Sequence, residues 1–193
     1  MRIFLAGASG VIGRRLVPLL VEGGHEVAGM TRTQANVPTL AALGATPVVC
    51  DAFDAPGLAS SVHRFAPDLV MHQLTDLPDD AERIRGFGVA NARIRREGTR
   101  NLLDAARAAH VERLLVQSVA WTLAADGGAA VEEMEQMVLA ASGTILRYGQ
   151  FYGPGTYHEH DLPPQPRIQI DQAAARTVAQ LDAPPGIITI VDA

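Results

Sequence analysis

The sequence predicts an α/β chain built on a doubly wound parallel sheet. Three observations carry that prediction. Apolar runs of four to six residues alternate with helical patterns along the chain, those runs lack the in–out alternation of a half-exposed strand, and a glycine-spaced turn follows the first of them. Continuous apolar runs suit strands covered on both faces. A regular β-α-β-α order then implies parallel strands joined by right-handed crossovers.

Taken in order, "RIFLA" (2–6) is the first strand, and a helix follows from about Gly10 to Val21. "HEVAGM" (25–30) precedes a helix over "QANVPTLAAL", and "TPVVC" (46–50) precedes one near 55–64. "DLVMHQ" (68–73) leads to a long helix ending near His110, and "RLLVQS" (113–118) to a helix over 129–141. "GTILRY" (143–148) closes that series. Residues 153–168, rich in Pro, Gly and His, read as a loop over the end of the sheet. A helix over about 170–181 and the strand "GIITIV" come last.

Composition narrows the function. A chain of 193 residues with 48% hydrophobic content fits one domain with a sizeable core. A net charge of -5 argues against a nucleic-acid partner, which would need a basic surface. Every one of the 16 basic residues is arginine, so the chain holds no lysine. Cys50 stands alone, which excludes an internal disulfide and fits a reducing compartment. Met1 and Arg2 run straight into a strand, with no leader-like apolar region, and no apolar run reaches the ~18 residues of a spanning helix. The expectation is a cytoplasmic protein with no membrane partner.

"GASGVIG" sets Gly7, Gly10 and Gly13 between a strand and a helix. Gly7 suits a tight turn, Gly10 lets backbone approach a pyrophosphate, and Gly13 lets the helix pack closely on the sheet. The helix N-terminus then offers free N–H groups and positive dipole to phosphates. The spacing is GxxGxxG rather than GxGxxG, but it follows the first strand and opens a helix, as a dinucleotide fingerprint requires. The second strand ends in "MTRT", with no acid to meet an adenosine ribose. Arg32 instead offers a planar fork to a 2′-phosphate, with Thr31 and Thr33 as further donors, which favours NADP while leaving NAD possible. Asp51 stands where it would accept from an adenine amino group. A helix N-cap role for Asp51 or Asp54 is the equal alternative.

These segments, in this order, resemble the extended and atypical short-chain dehydrogenase/reductases, the NAD(P)-dependent epimerases and dehydratases. "GASGVIG" is similar to the family's glycine loop, "VVCDAFD" to its adenine-contacting third strand, and "LVMHQLT" to the fourth-strand segment that passes the nicotinamide ribose. "EGTRNLLDAARAAHVERLLVQS" and "ILRYGQFYGPGT" resemble the family's helix–fifth strand and post-sixth-strand segments. The resemblance implies a Rossmann-like fold. Residues 1–152 form its dinucleotide-binding domain, and residues 153–193 a short loop, helix and strand, a much reduced C-terminal substrate lobe on the same domain. It implies coenzyme contacts at Gly7, Ser9, Gly10, Val11, Ile12, Gly13, Arg32, Asp51, Ala52, His72, Gln73 and Leu74.

The departures from the family bear on chemistry. Its YxxxK pair falls here, counting back from Glu135, on Gly127 and Val131. A phenol of pKa ~10 needs a neighbouring cation to act near neutrality, and no lysine exists to supply one. Ser118 is the candidate for the family's fifth-strand hydroxyl. Tyr148, after the sixth strand, is the candidate substitute acid, with Arg147 beside it. Tyr152 in "YGPG" reads as structural. His72 reads as a hydrogen-bonding group of the fold, or else as a proton-transfer group. Trp121 reads as core packing or a pocket wall. "HEH" (158–160) lacks a third ligand nearby, so no metal site is expected. Arg95 stands where the family often has Asn. Apolar residues at 131, 134, 137, 138 and 141 make an amphipathic helix that packs on the sheet or on a second subunit, and the resemblance adds a possible homodimer.

The expected function is an NAD(P)-dependent oxidoreductase or epimerase/dehydratase-like enzyme acting on a small carbonyl, hydroxyl or sugar-type substrate. The lost Tyr/Lys pair keeps two alternatives open: a non-catalytic NADP(H) sensor, or a non-redox isomerase reusing the pocket.

Overall fold

The computed structural model describes residues 1–78, 81–123 and 125–193. Its elements are β1 (Arg2–Ala6), α1 (Gly13–Glu22), β2 (Glu26–Thr31), α2 (Val37–Ala42), β3 (Thr46–Val49), α3 (Ala55–Phe65) and β4 (Leu69–His72). Then come α4 (Gly88–Arg93), α5 (Thr99–Ala108), β5 (Arg113–Val119), α6 (Ala125–Ala140), β6 (Thr144–Tyr148), β7 (Gln150–Tyr152), β8 (Arg167–Gln169), α7 (Ile170–Val178) and β9 (Gly186–Ile190).

Seven strands form one parallel sheet in the order β3-β2-β1-β4-β5-β6-β9. This is the expected Rossmann-like arrangement, and strand order reverses between β1 and β4. The crevice beyond their carboxyl ends is where such sheets bind ligands. Both faces of the central strands are covered, as their unbroken apolar runs require, while the edge strands β3 and β9 stay partly exposed. Ile3, Leu5, Met71, Leu115 and Leu146 face α1 and α7 through Leu16, Val17, Leu20, Ile170 and Ala174. Phe4, Ala28, Val70 and Leu114 face α3 and α5 through Leu58, Val62, Leu102 and Ala105. Val116 and Ile145 pack on Met134 and Val138 of α6. Met134 and Val138 of the α6 stripe therefore serve this sheet, while Val131 and Met137 are half-buried and Ala141 is exposed.

Three details differ from the sequence reading. The long helix before His110 is a chain of segments: a 3-10 stretch over Ala81–Phe87, then α4, a π-turn over Ile94–Gly98, and α5. π-turns insert one residue's worth of slack and are frequent at functional sites. The Pro/Gly/His-rich loop is clasped at its base by the parallel pair β7–β8, so residues 167 and 168 belong to a strand rather than to the loop. Helix α1 begins at Gly13, three residues later than expected, because the residues from Gly10 to Ile12 form the turn itself. Residues 153–193 share the main sheet: β9 pairs with β6, and α7 packs against α1. Arg15 ties them together through Asp171 at 2.6 Å and the carbonyl of Pro154. Among the described residues no helix is long and apolar enough to cross a membrane.

Candidate functional site

The glycine loop is built by close approach. Gly7 takes φ +90°, and a Cβ there would lie 2.6 Å from the carbonyl oxygen of Gln73, at the end of β4. Only glycine fits both constraints. At Gly13 a Cβ would lie 2.2 Å from the Gly7 carbonyl oxygen, so α1 can seat on the loop only without a side chain. Gly10 differs: its Cβ would meet only the Gly7 carbonyl, at 3.3 Å, and the residue is exposed. Ile12 caps α1 with no side-chain hydrogen bond, and the first turn carries no acid. Among the described residues the amides of Val11 and Ile12 find no acceptor. Unsatisfied amides at a helix N-terminus, beside a residue with no side chain, make a cradle for an anion. Ser9 borders it, its hydroxyl 3.1 Å from Thr31 Oγ1.

At the end of β2, Arg32 is 58% exposed in its side chain and donates to Asp76 at 2.9 Å. That hydrogen bond to Asp76 holds its pKa above the ordinary arginine value. Thr31 is buried and serves as an acceptor for the Thr33 amide at 3.3 Å and the Asn36 side chain at 3.2 Å. Asp51 is exposed and accepts from the Phe53 amide at 2.9 Å, an Asx turn, whereas Asp54 is the N-cap of α3, accepting from the Gly57 amide at 3.1 Å. The buried Ala52 passes its carbonyl to Asn101 at 2.9 Å.

At the end of β4, His72 lies opposite Ala6 of β1 in register, and the Gln73 amide bonds the Ala6 carbonyl at 2.8 Å. His72 is buried. Its Nδ1 accepts from the Leu74 amide at 3.1 Å, which leaves the proton on Nε2 to donate to Thr99 Oγ1 at 2.9 Å. Burial, helped by the charge of Arg95, lowers its pKa to about 4. A neutral imidazole locked to α5 is a structural group, not a proton carrier near neutrality.

Tyr148 and Ser118 do not share a site. Register pairs Val119 with Tyr148 and Ser118 with Arg147, so Ser118 and Tyr148 point to opposite faces of the sheet. Tyr148 is 2% exposed, and its hydroxyl lies 2.6 Å from Thr177 Oγ1 and 3.4 Å from Gln73 Nε2. Proton directions follow: Thr177 donates to the Ala173 carbonyl at 2.7 Å, Tyr148 therefore donates to Thr177, and Gln73 donates to Tyr148. Gln73 Oε1 is left buried without a partner. Burial raises the Tyr148 pKa, the opposite of what an acid active near neutrality needs. Tyr148 is thus placed as a hydrogen-bonding strut. Ser118, on the other face, donates to Glu135 at 2.5 Å, and Arg147 grips the same carboxylate at 2.5 and 2.9 Å. Arg147 therefore serves Glu135 and not the Tyr148 phenol. Gly127 and Val131 lie on α6, and at Gly127 an added Cβ would meet only Leu123, at 3.7 Å. Gly127 is half-buried, and an added side chain there would start in ordinary contact with Leu123.

The remaining candidates fall away from the crevice or stay peripheral to it. Tyr152 belongs to β7, and Trp121 lies half-buried just beyond β5. His158 pairs with Asp161 at 3.1 Å. Among the described residues no group of three or more metal-ligating side chains converges. Asp76, Thr99 and Thr177 were absent from the sequence reading. Thr99 alone carried a signal, because it follows Gly98 at the start of α5 within a motif already singled out.

Comparison with known proteins fits this geometry. Residues 7–147 match a family model described as NAD(P)H-binding. A 3-diazoavenalumate denitrifying reductase of a Streptomyces species is 36% identical over 83% of this chain, which spans 60% of that relative's length. A 3-beta-hydroxysteroid dehydrogenase of Mycolicibacterium neoaurum is 31% identical over 59% of the chain, covering 31% of that protein. Among solved structures, a UDP-glucose 4-epimerase of Thermus thermophilus in complex with NAD superposes with TM-score 0.79 at 20% identity, over 99% of this chain and 78% of that one. The Bordetella bronchiseptica enzyme WbmH in complex with NAD+ gives 0.77 at 16% identity, over 99% and 75%.

Proposed function

Because the chain belongs to the NAD(P)H-binding family and has its reductase/epimerase-like fold, we propose that it is an NADPH-dependent reductase of a small unsaturated organic substrate. One observation carries this reading. The uncapped head of α1, with the unsatisfied amides of Val11 and Ile12 beside the bare Gly10, opens on the crevice between β1 and β4. A pyrophosphate completes those donors. The other ends of the coenzyme then fall along residues already described. Ser9 and Gly13 flank the phosphates, while Asp51 and Ala52 line the adenine end. His72, Gln73 and Leu74 pass under the nicotinamide ribose. Arg32 stands where an NAD-specific chain would carry an acid, and a 2′-phosphate would draw it from Asp76, which supports NADP over NAD.

Bound NADPH would supply the hydride, and the chain supplies position and polarity. An epimerase must remove and return a proton at one centre, and this sequence has no lysine to complete a phenol–ammonium pair. Reduction asks less: one hydride, and a proton that solvent can deliver. The Streptomyces relative is named as a denitrifying reductase, which supports a polarised, hydride-accepting substrate such as a diazo arene, aldehyde or quinone. Ser118 keeps its role as a hydroxyl at the edge of that site: its hydrogen is committed to Glu135, so it accepts from a substrate donor. The loop of residues 153–166 is the substrate lobe in this reading, anchored across the crevice by the Tyr157 hydroxyl on the Pro78 carbonyl. A single small substrate needs no second macromolecular partner.

The absence of lysine from the sequence favours one rival, a coenzyme sensor without turnover. Thermal shift with NADPH and NADH, followed by NADPH consumption against diazo arenes, aldehydes and quinones, separates the two. We expect a larger shift with NADPH and consumption with at least one of these classes. No shift with either nucleotide refutes the coenzyme site, and tight binding with no consumption supports the sensor.

A further inference from the structure

Arg95 is a buried cation that no carboxylate pairs with directly among the described residues. It lies in the π-turn between α4 and α5, is 7% exposed, and its Nη1 has no hydrogen-bond partner. The next residue, Arg96, is satisfied by Asp126 and Glu133 of α6 at 2.7 to 3.1 Å, so the π-turn lies along that helix. Arg95 is the member of the pair turned inward. Its charge helps keep His72, at the end of β4, neutral, and it interacts with Glu135 of α6.

Glu135 does not neutralise it. Glu135 Oε1 accepts from Ser118 and Arg147 Nε, and Oε2 from Arg147 Nη2, and no hydrogen bond among the described residues joins this carboxylate to Arg95. With His72 neutral, the cluster Arg95–Glu135–Arg147 holds two cations and one anion. An unpaired buried charge costs several kcal/mol, so a sequence that keeps one obtains something from it. Pyrophosphate is not the answer, because the α1 cradle lies on the other face of the sheet.

We propose that Arg95 is the anion-recognition group of the substrate site, taking a carboxylate on the substrate. This rests on the reductase reading of the crevice and specifies its substrate class: an organic acid, with the reducible group elsewhere on the molecule. A guanidinium never gives up its proton near neutrality, so its part is binding and orientation by a bidentate fork.

The test is calorimetric titration of benzoate and 4-hydroxycinnamate, against their neutral amides, into NADP+-saturated and coenzyme-free protein. We expect each acid to bind at least roughly tenfold more tightly than its amide. Arg95→Met should abolish that preference without lowering the melting temperature of the ligand-free protein, since an unpaired charge is being removed. Arg95→Lys, which keeps charge but loses the fork, should retain part of the preference. Equal binding of acid and amide by the wild type, including no binding of either, overturns the proposal. So does an Arg95→Met protein that keeps the preference, or one whose melting temperature falls sharply, which would mark Arg95 as a structural ion. Failure of NADPH to bind in a parallel titration would sink the reductase reading, while the acid–amide comparison in coenzyme-free protein still decides Arg95.

Discussion

Replacing Arg32 by alanine should erase the preference for NADPH over NADH while leaving NADH affinity nearly unchanged. The size of the effect follows from what Arg32 gives up and gains. Its ion pair with Asp76 is half in water, and exposed pairs are worth about 1 kcal/mol at most. A guanidinium donating to a phosphate contributes roughly 1.5–3 kcal/mol. The difference leaves about 1–2 kcal/mol, or roughly five- to thirtyfold in affinity. Fluorescence titration of both reduced coenzymes into wild type, Arg32→Ala and Asp76→Asn measures it. Asp76→Asn should move the other way, since Arg32 no longer has a competing carboxylate. A wild-type protein that prefers NADH, or an Arg32→Ala protein with the wild-type preference, would refute the reasoning.

Further outcomes follow from the same geometry. His72 is held neutral with its pKa lowered to about 4, below the ordinary value near 6.5, so the unfolded chain binds the extra proton first. Its contribution, on the order of 3 kcal/mol, is fully present above pH ~6.5 and is lost as pH falls toward 4; urea unfolding across that range should show the slope, and His72→Gln should flatten it. Tyr148→Phe removes a hydroxyl shared with Thr177 and Gln73. It should cost about 1–2 kcal/mol of stability in chemical denaturation while NADPH turnover persists; lost turnover with unchanged stability would restore the acid role. Gly10→Ala meets one carbonyl at 3.3 Å and should fold normally yet bind NADPH at least tenfold more weakly, whereas Gly13→Ala, with a contact at 2.2 Å, should fail to fold at normal yield.

The sheet was legible because burial on both faces of its central strands writes itself as unbroken apolar runs, and the two partly exposed edge strands, β3 and β9, are still apolar enough to lie where such runs fall. The glycine loop was legible because close approach admits one residue type. Other features were beyond single-sequence reach. The π-turn at Ile94–Gly98 leaves the helical pattern intact on either side, so periodicity passes over it. β7 and β8 are three residues each and depend on a pairing across the loop between them. The side of the sheet taken by Tyr148 depends on α7, more than 20 residues later, where Thr177 meets it. Arg32 showed its chemistry at the end of β2, but its partner Asp76 sits in a loop with no pattern of its own. Arg95 lay within a run of charges that reads as a solvated face. Only the fold shows that one of those arginines turns inward while its neighbours stay at the surface.

The turn after β1 leans on the backbone after β4 so closely that a single methyl group would not fit between Gly7 and Gln73. The two segments assigned above to the pyrophosphate and to the nicotinamide ribose of the proposed coenzyme are thereby in direct contact. A displacement of either is handed to the other without an intervening side chain to absorb it. In the proposed complex, the phosphates and the nicotinamide ribose would therefore be held by one joined stretch of backbone.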